Sequence, residues 1–297
     1  MKVFVTGATG FIGSATVQEL IGAGHQVLGL ARSDKAVASL AAAGAEVQRG
    51  ALDDHDSLRD GAAASDGVIH LAYIHDFSQY EAAAQTDLRA IEILGAALEG
   101  SNRPLAIASG LAGFAGGHVA TEQDVATPGF PRSANEHAAL ALAEQGVRSS
   151  SVRLAPTVHG DGDHGFVAAL VNIARAKGVS GYVGNGSNHW PAVHRLDAAQ
   201  LFRLALEKAP AGSVLHGVTD KGVPTRTIAE TIGRQLNLPV VSIPPEEAGN
   251  HFGWLEMFFA ADILASSTLT QKQLGWHPTH VGLIDDLEQG HYFNNEQ

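Results

Sequence analysis

Three glycines spaced three residues apart, Gly7, Gly10 and Gly13, follow directly on the apolar run Val3-Phe4-Val5. A run that short reads as a buried β-strand, and the recurrence of Val17, Leu20 and Ile21 reads as a helix that stops near Gly24. Strand, glycine turn and helix leave unpaired backbone N–H groups at a helix N-terminus, where the dipole favours an anion. Gly7 then permits the tight turn, Gly10 lets a pyrophosphate approach the backbone, and Gly13 lets helix and strand pack closely. Thr9, Phe11 and Ile12 belong to the same phosphate-binding loop. The plainer alternative is a structural turn without a ligand. About 20 residues beyond the glycines, an NAD site usually carries Asp or Glu for the ribose 2′-OH. This chain reads Leu30-Ala31-Arg32-Ser33 there. A guanidinium beside a hydroxyl suits a 2′-phosphate, so Arg32 and Ser33 point to NADP(H). Asp34 would serve NAD(H) if the turn were one residue longer, and a solvated surface arginine is the bland reading of Arg32. The stretch VHGDGDHG (158–165) gathers two His and two Asp. It lacks helical His-x-x-x-His spacing and any Cys, so a flexible loop over the cofactor is expected and no metal.

The elements that must position these groups alternate through the first half. Strands are expected at 26–31, 45–50, 67–72, 104–109 and 149–155. Between them lie a helix capped by Ser33, a short helix over 55–65, a long one from Ser78 to Glu99, and one over 132–145. This rhythm predicts an α/β chain with a Rossmann doubly wound parallel sheet. The second half is less regular. Amphipathic helices are expected over 165–178, 196–209 and 225–236, with short strands at 181–184, 213–218 and 239–243. Thr227 and Glu230 fit a capping box, which would start the 225–236 helix a turn late. A soft boundary near residue 156 divides a nucleotide-binding domain (1–156) from a smaller, interleaved α/β substrate-binding region (157–297). Trp190, Trp254, Phe258 and Phe259 read as the wall of an apolar pocket or, for half of them, as ordinary core.

Composition narrows the partners. The 297 residues carry 19 Lys+Arg against 31 Asp+Glu, a formal charge of −12. No basic run offers phosphate neutralisation, so no nucleic-acid partner is expected. Cysteine is absent, which removes disulfides and thiolate chemistry and fits a reducing compartment. The N-terminus enters a strand directly, so neither secretion nor a membrane span is expected, and the expected location is cytoplasmic. The expected partners are a small-molecule substrate and, as an alternative to a monomer, a second copy of the chain.

With these residues in place, the chain resembles the extended and atypical short-chain dehydrogenase/reductases, in their NAD(P)-dependent epimerase/dehydratase branch. VFVTGATGFIG (3–13) is similar to that branch's nucleotide loop, and GVIHLA (67–72) to its fourth-strand motif. RLAPTVHG (153–160) resembles its sixth-strand Arg-Pro…Gly motif, and WPAVHRLDAA (190–199) its His…Asp-x-Ala motif. The resemblance implies that Leu71 and Ala72 line the adenosine and ribose, and that the loop from Pro156 to Val158 runs beside the nicotinamide. It departs from the family where a Tyr-x-x-x-Lys pair would supply and tune a proton. PRSANEHAAL (131–140) puts Arg132 at the Tyr position and Glu136 at the Lys position, and Ser109 is the only hydroxyl of ASGLAG (108–113).

Ser109, at the end of the fifth strand, is placed to hydrogen-bond a carbonyl oxygen. Tyr73 and His75, after the fourth strand, reach the same rim as proton donors, although a lone Tyr or His in such a loop is more often structural. Arg132 and Glu136 stand four apart and read as a helix-surface ion pair. The expected activity is NADPH-dependent reduction of a carbonyl or imine of a hydrophobic small molecule. Epimerase or dehydratase chemistry and a non-catalytic NADP-binding sensor are the alternatives.

Overall fold

The first strand, β1 (Lys2–Thr6), buries Val3 and Val5 in one core and Phe4 in another. A strand covered on both faces has no polar side to alternate with, which is why it reads as a continuous apolar run. The computed structural model describes residues 1–75, 79–114, 116–126 and 130–294. From β1 the chain runs through α1 (Phe11–Gly22), β2 (Gln26–Ala31), α2 (Asp34–Ala42), β3 (Glu46–Arg49), α3 (His55–Ala63) and β4 (Gly67–His70). It continues with α4 (Tyr80–Leu98), β5 (Pro104–Gly110), β6 (Val119–Ala120), α5 (Pro131–Ala141), β7 (Arg148–Leu154) and β8 (Thr157–His159). Next come α6 (Phe166–Lys177), β9 (Ser180–Val183), β10 (His189–His194), α7 (Arg195–Lys208), β11 (Ser213–Gly217) and β12 (Asp220–Pro224). The last elements are α8 (Thr225–Leu236), β13 (Val240–Ile243), α9 (Ala248–Phe252), α10 (Glu256–Phe259), β14 (Leu264–Ala265), α11 (Thr268–Leu274) and α12 (Leu283–Glu288).

The central sheet has seven parallel strands in the order β11-β7-β5-β4-β1-β2-β3. Its strand order reverses between β1 and β4, and a ligand crevice opens beyond the strand ends at such a switch point. One face packs on α1, α2 and α7 through Val17, Leu20, Leu40, Leu201 and Phe202. The other packs on α3, α4 and α5 through Leu58, Ile91, Leu94 and Ala139. The seventh strand, β11, comes from beyond residue 156 and pairs with β7 from Ser213 opposite Ser150 to Gly217 opposite Leu154. Helix α7 precedes it and is tied to α1 by Arg203 Nε donating to Glu19 Oε1 at 2.7 Å. The second half therefore completes the sheet as well as building its own core around Val167, Trp190, Ile228, Phe252 and Leu287.

Local chemistry accounts for most boundaries. Ser33 caps α2 by accepting from the backbone N–H of Ala36 at 3.2 Å. The expected first residue of α4, Ser78, lies outside the described residues; the helix runs from Tyr80. The Thr227–Glu230 capping box does not form. Helix α8 starts at Thr225, whose hydroxyl donates to Asn188 Oδ1 at 2.6 Å, and Glu230 is drawn instead to Arg226 Nε at 2.8 Å. Among the described residues no helix is long and apolar enough to cross a membrane.

Candidate cofactor and active-site cleft

A cleft of about 1380 Å³ opens at the C-terminal ends of the strands. It is lined by Gly7, Thr9, Gly10, Phe11, Ile12 and Gly13, by Arg32 and Ser33, and by Leu71, Ala72, Tyr73 and His75. Ser109, Pro156 and Val158 line it too, so the structure brings together all the site residues named from the sequence.

The three glycines have different reasons to be glycine. Gly7 has a φ of +65°, and a Cβ there would lie 2.7 Å from the backbone of Leu71 and Ala72. At Gly13 a Cβ would lie 2.0 Å from the Gly7 carbonyl oxygen, so this glycine sets how closely α1 meets β1. Gly10 is unstrained, with φ −73°, and a Cβ there would meet only Gly7 O, at 3.2 Å. It caps α1 with no side-chain hydrogen bond, leaving the first N–H groups of the helix facing the cleft. This cradle fits a dinucleotide pyrophosphate.

Behind the cradle, Thr6 Oγ1 accepts the N–H groups of Leu71 and Ala72, each at 3.2 Å, and lies 2.8 Å from His70 Nδ1. His70 Nε2 is 3.0 Å from Asp87 Oδ1, and Asn135 Nδ2 donates to Asp87 Oδ2 at 2.6 Å. With the His70 proton on Nε2, the Thr6 hydroxyl donates to Nδ1 and the chain is satisfied from β1 to α5. Burial pushes the Asp87 carboxyl up, but the His70 hydrogen bond and the nearby charges outweigh it and hold the group below its ordinary value. Sequence reasoning passed over His70 and Asp87; the available signal was a polar residue ending an otherwise apolar strand.

Beyond the end of β2, Arg32 is exposed and has no protein partner among the described residues, and Lys35 and Asp53 also line the cleft. Asp34, the acid that would serve NAD(H), is paired with Arg49 Nη2 at 2.6 Å on the surface.

Ser109 lines the cleft from β5. The Tyr73 hydroxyl is buried without a hydrogen-bond partner. Burial pushes this phenol well above its ordinary value, against the opposing charge of Arg132, whose guanidinium sits 4.2 Å over the ring. His75 meets Tyr73 edge-on at 5.3 Å, and desolvation together with Arg132 holds its imidazole below the ordinary value.

The expected Arg132–Glu136 ion pair is absent. Arg132 Nη2 donates to the Ala108 carbonyl at 2.8 Å, its Nε is buried without a partner, and the side chain lines the cleft. Glu136 is buried and accepts from Arg153 Nε at 2.9 Å, Arg153 Nη2 at 2.8 Å and Ser151 Oγ at 2.6 Å. The reason is packing. Helix α5 lies on β5 and β7, so Glu136 faces the sheet, where a buried carboxylate requires several donors. Its i, i+4 spacing gave no sign of that.

The polar side chains of the 158–165 loop fasten it in place. His159 Nδ1 is 2.9 Å from Asp286 Oδ2, and Asp163 accepts from Gly165 N at 2.6 Å and from the Tyr292 hydroxyl at 3.0 Å. Among the described residues no cluster of His, Asp and Glu could hold a metal ion. Asp163, His164 and Gly165 line the cleft. Of the four aromatics, Trp254 and Phe258 line it too, joined by Phe166, whose ring lies 5.4 Å from Trp254 and 5.0 Å from Phe258. Trp190 and Phe259 are core. The described lining residues beyond residue 153 include no Lys or Arg.

The sequence profile of the NAD dependent epimerase/dehydratase family matches residues 3–216. An uncharacterized protein of Schizosaccharomyces pombe is 52% identical over 99% of this chain and 100% of its own length. A 4-hydroxy-2-methyl-3-oxo-4-farnesyl-3,4-dihydroquinoline-1-oxide ketoreductase of Stigmatella aurantiaca is 25% identical, covering 85% of this chain and 80% of its own. Among solved structures, a UDP-glucose 4-epimerase with UDP-glucose from Thermotoga maritima superposes with a TM-score of 0.79 at 21% identity, covering 99% of this chain and 98% of its own.

Proposed function

The chain belongs to the NAD dependent epimerase/dehydratase family, and from that premise we propose that it is an NADP(H)-dependent oxidoreductase that reduces a carbonyl, or an imine, of a hydrophobic small molecule. The observation that carries this reading is the make-up of the substrate end of the cleft. Phe166, Trp254 and Phe258 wall it, Ser109 and the unpartnered Tyr73 hydroxyl supply polar groups, and the second half of the chain adds no Lys or Arg. A nucleotide sugar such as the UDP-glucose of the Thermotoga epimerase carries a diphosphate, and at this end the described lining offers it a single cation, Arg132, with none from the second half of the chain. The ketoreductase of Stigmatella, with its farnesylated substrate name, agrees with an apolar carbonyl compound.

Glycines 7, 10 and 13 and the α1 N-terminus would hold the pyrophosphate, and Arg32, Ser33 and Lys35 the 2′-phosphate. Bound reduced nicotinamide supplies a hydride; the protein supplies position and a polarising donor. Ser109 hydrogen-bonds the substrate oxygen or nitrogen, and Tyr73, still protonated at neutral pH, gives the proton. The test follows NADPH oxidation, by loss of the reduced nicotinamide absorbance, with a panel of apolar aldehydes, ketones, cyclic imines and sugar nucleotides. Turnover is expected with the apolar carbonyls or imines, and Ser109→Ala is expected to lower kcat about 10²–10³-fold with NADPH affinity unchanged. Turnover of sugar nucleotides alone would overturn the reading.

A further inference from the structure

We propose that Arg132 is a catalytic residue of this cleft, whose guanidinium holds the substrate oxygen as it becomes negative. The inference rests on the carbonyl-reduction reading above. Three observations carry it. The Arg132 Nε–H is buried with no acceptor in the protein, a costly arrangement unless a ligand supplies one. The side chain is fixed in place, with Nη2 on the Ala108 carbonyl beside Ser109 and the guanidinium plane over Tyr73. Among the described residues no carboxylate pairs with it: Glu136 is taken by Arg153 and Ser151, and Asp87, which feels its charge, is hydrogen-bonded by His70 and Asn135. A cation at the substrate end of a cleft, with a donor pointing at nothing, is complementary to an oxyanion.

The step balances as follows. The carbonyl carbon accepts the hydride of the reduced cofactor, and the C=O π pair moves onto oxygen. Arg132 and Ser109 hold that charge with their donors, the Tyr73 phenol passes its proton to the alkoxide, and the phenolate, next to the guanidinium, recovers a proton from water. A guanidinium stabilises an oxyanion without giving up its own proton, so the two roles divide between neighbouring side chains.

The test uses benzoate, a carboxylate on an apolar ring, titrated into protein saturated with NADP⁺. Wild type is expected to bind it, with Arg132→Ala and Arg132→Gln at least tenfold weaker and their NADP⁺ affinity unchanged; Gln keeps an N–H for Ala108. With any carbonyl turned over by wild type, Arg132→Ala is expected to lose about 10²–10³-fold in kcat and to regain part of it with added guanidinium ion but not ammonium. Failure of wild type to bind benzoate, or equal binding by the variants, would overturn the assignment. Benzoate bound through Arg132 together with no turnover of any carbonyl or imine would overturn the reductase reading and leave the oxyanion site standing.

Discussion

Arg32 and Arg132 share a residue type and differ in everything the sequence does not print. Arg32 follows a buried strand at the place where a ribose is met, so its candidate role was legible from position alone. Arg132 sits one helical turn before a glutamate, and that spacing imitates a surface ion pair; only packing shows Glu136 turned to Arg153 and Arg132 turned to the cleft. Spacing gives the face of a helix, but not what covers that face. For Arg32 the structure adds the surface pairing of Asp34 with Arg49 and the presence of Lys35 in the same cleft. Wild type is therefore expected to bind NADPH more tightly than NADH. Charged hydrogen bonds contribute about 1.5–3 kcal/mol, so Arg32→Ala should weaken NADPH at least tenfold and leave NADH nearly unchanged. Fluorescence titration of both cofactors checks this, and equal wild-type affinities would contradict it.

At the scale of elements, the strand–turn–helix opening was readable because its constraints are backbone constraints, and glycine is the residue that records them. The structure separates those glycines into two kinds. Gly13→Ala would press a methyl against the Gly7 carbonyl and is expected to destabilise the fold by about 1–3 kcal/mol or more, read as a fall in the urea midpoint. A Cβ at Gly10 would meet only one atom of the protein, and the position lines the cleft, so Gly10→Val should leave the urea midpoint close to wild type and abolish cofactor binding. Retained binding by Gly10→Val would mean that the pyrophosphate lies elsewhere. The start of α8 was misread for a complementary reason. A capping box is a local pattern, and Asn188, distant in sequence, holds Thr225 while Arg226 takes Glu230.

Across the whole molecule, distant segments of the second half meet at a group of imidazoles that no local pattern announced. His194, at the start of α7, lies 4.7 Å from His280 with rings nearly parallel and 5.4 Å edge-on from His159, and its Nδ1 accepts the Leu196 N–H at 3.2 Å. Burial, then the charges of His159 and His280, lower its pKa from 6.5 to about 4. The folded protein thus favours neutral His194, and the unfolded chain takes up the proton first. Stability from this group is complete above about 6.5 and is lost as pH falls toward about 4. Tm measured across that window should fall, and His194→Gln, which keeps an acceptor for Leu196, should flatten the slope. The seven-strand sheet was only partly visible in advance, since β11 reads as one more short strand of the second half until its pairing with β7 is seen. That pairing has a bearing on how the chain is made. The central strands β1 and β4 emerge early from the ribosome, yet the outer edge of β7 stays open until residue 217 has been synthesised and cleared the exit tunnel. In the interval a nascent chain presents a row of unpaired amides and carbonyls on a strand with three consecutive serines, a template for pairing with a neighbouring chain on the same polysome. Chains stopped before residue 213 are therefore expected to collect in inclusion bodies where the full chain does not, a consequence of where one edge strand lies in the order of translation.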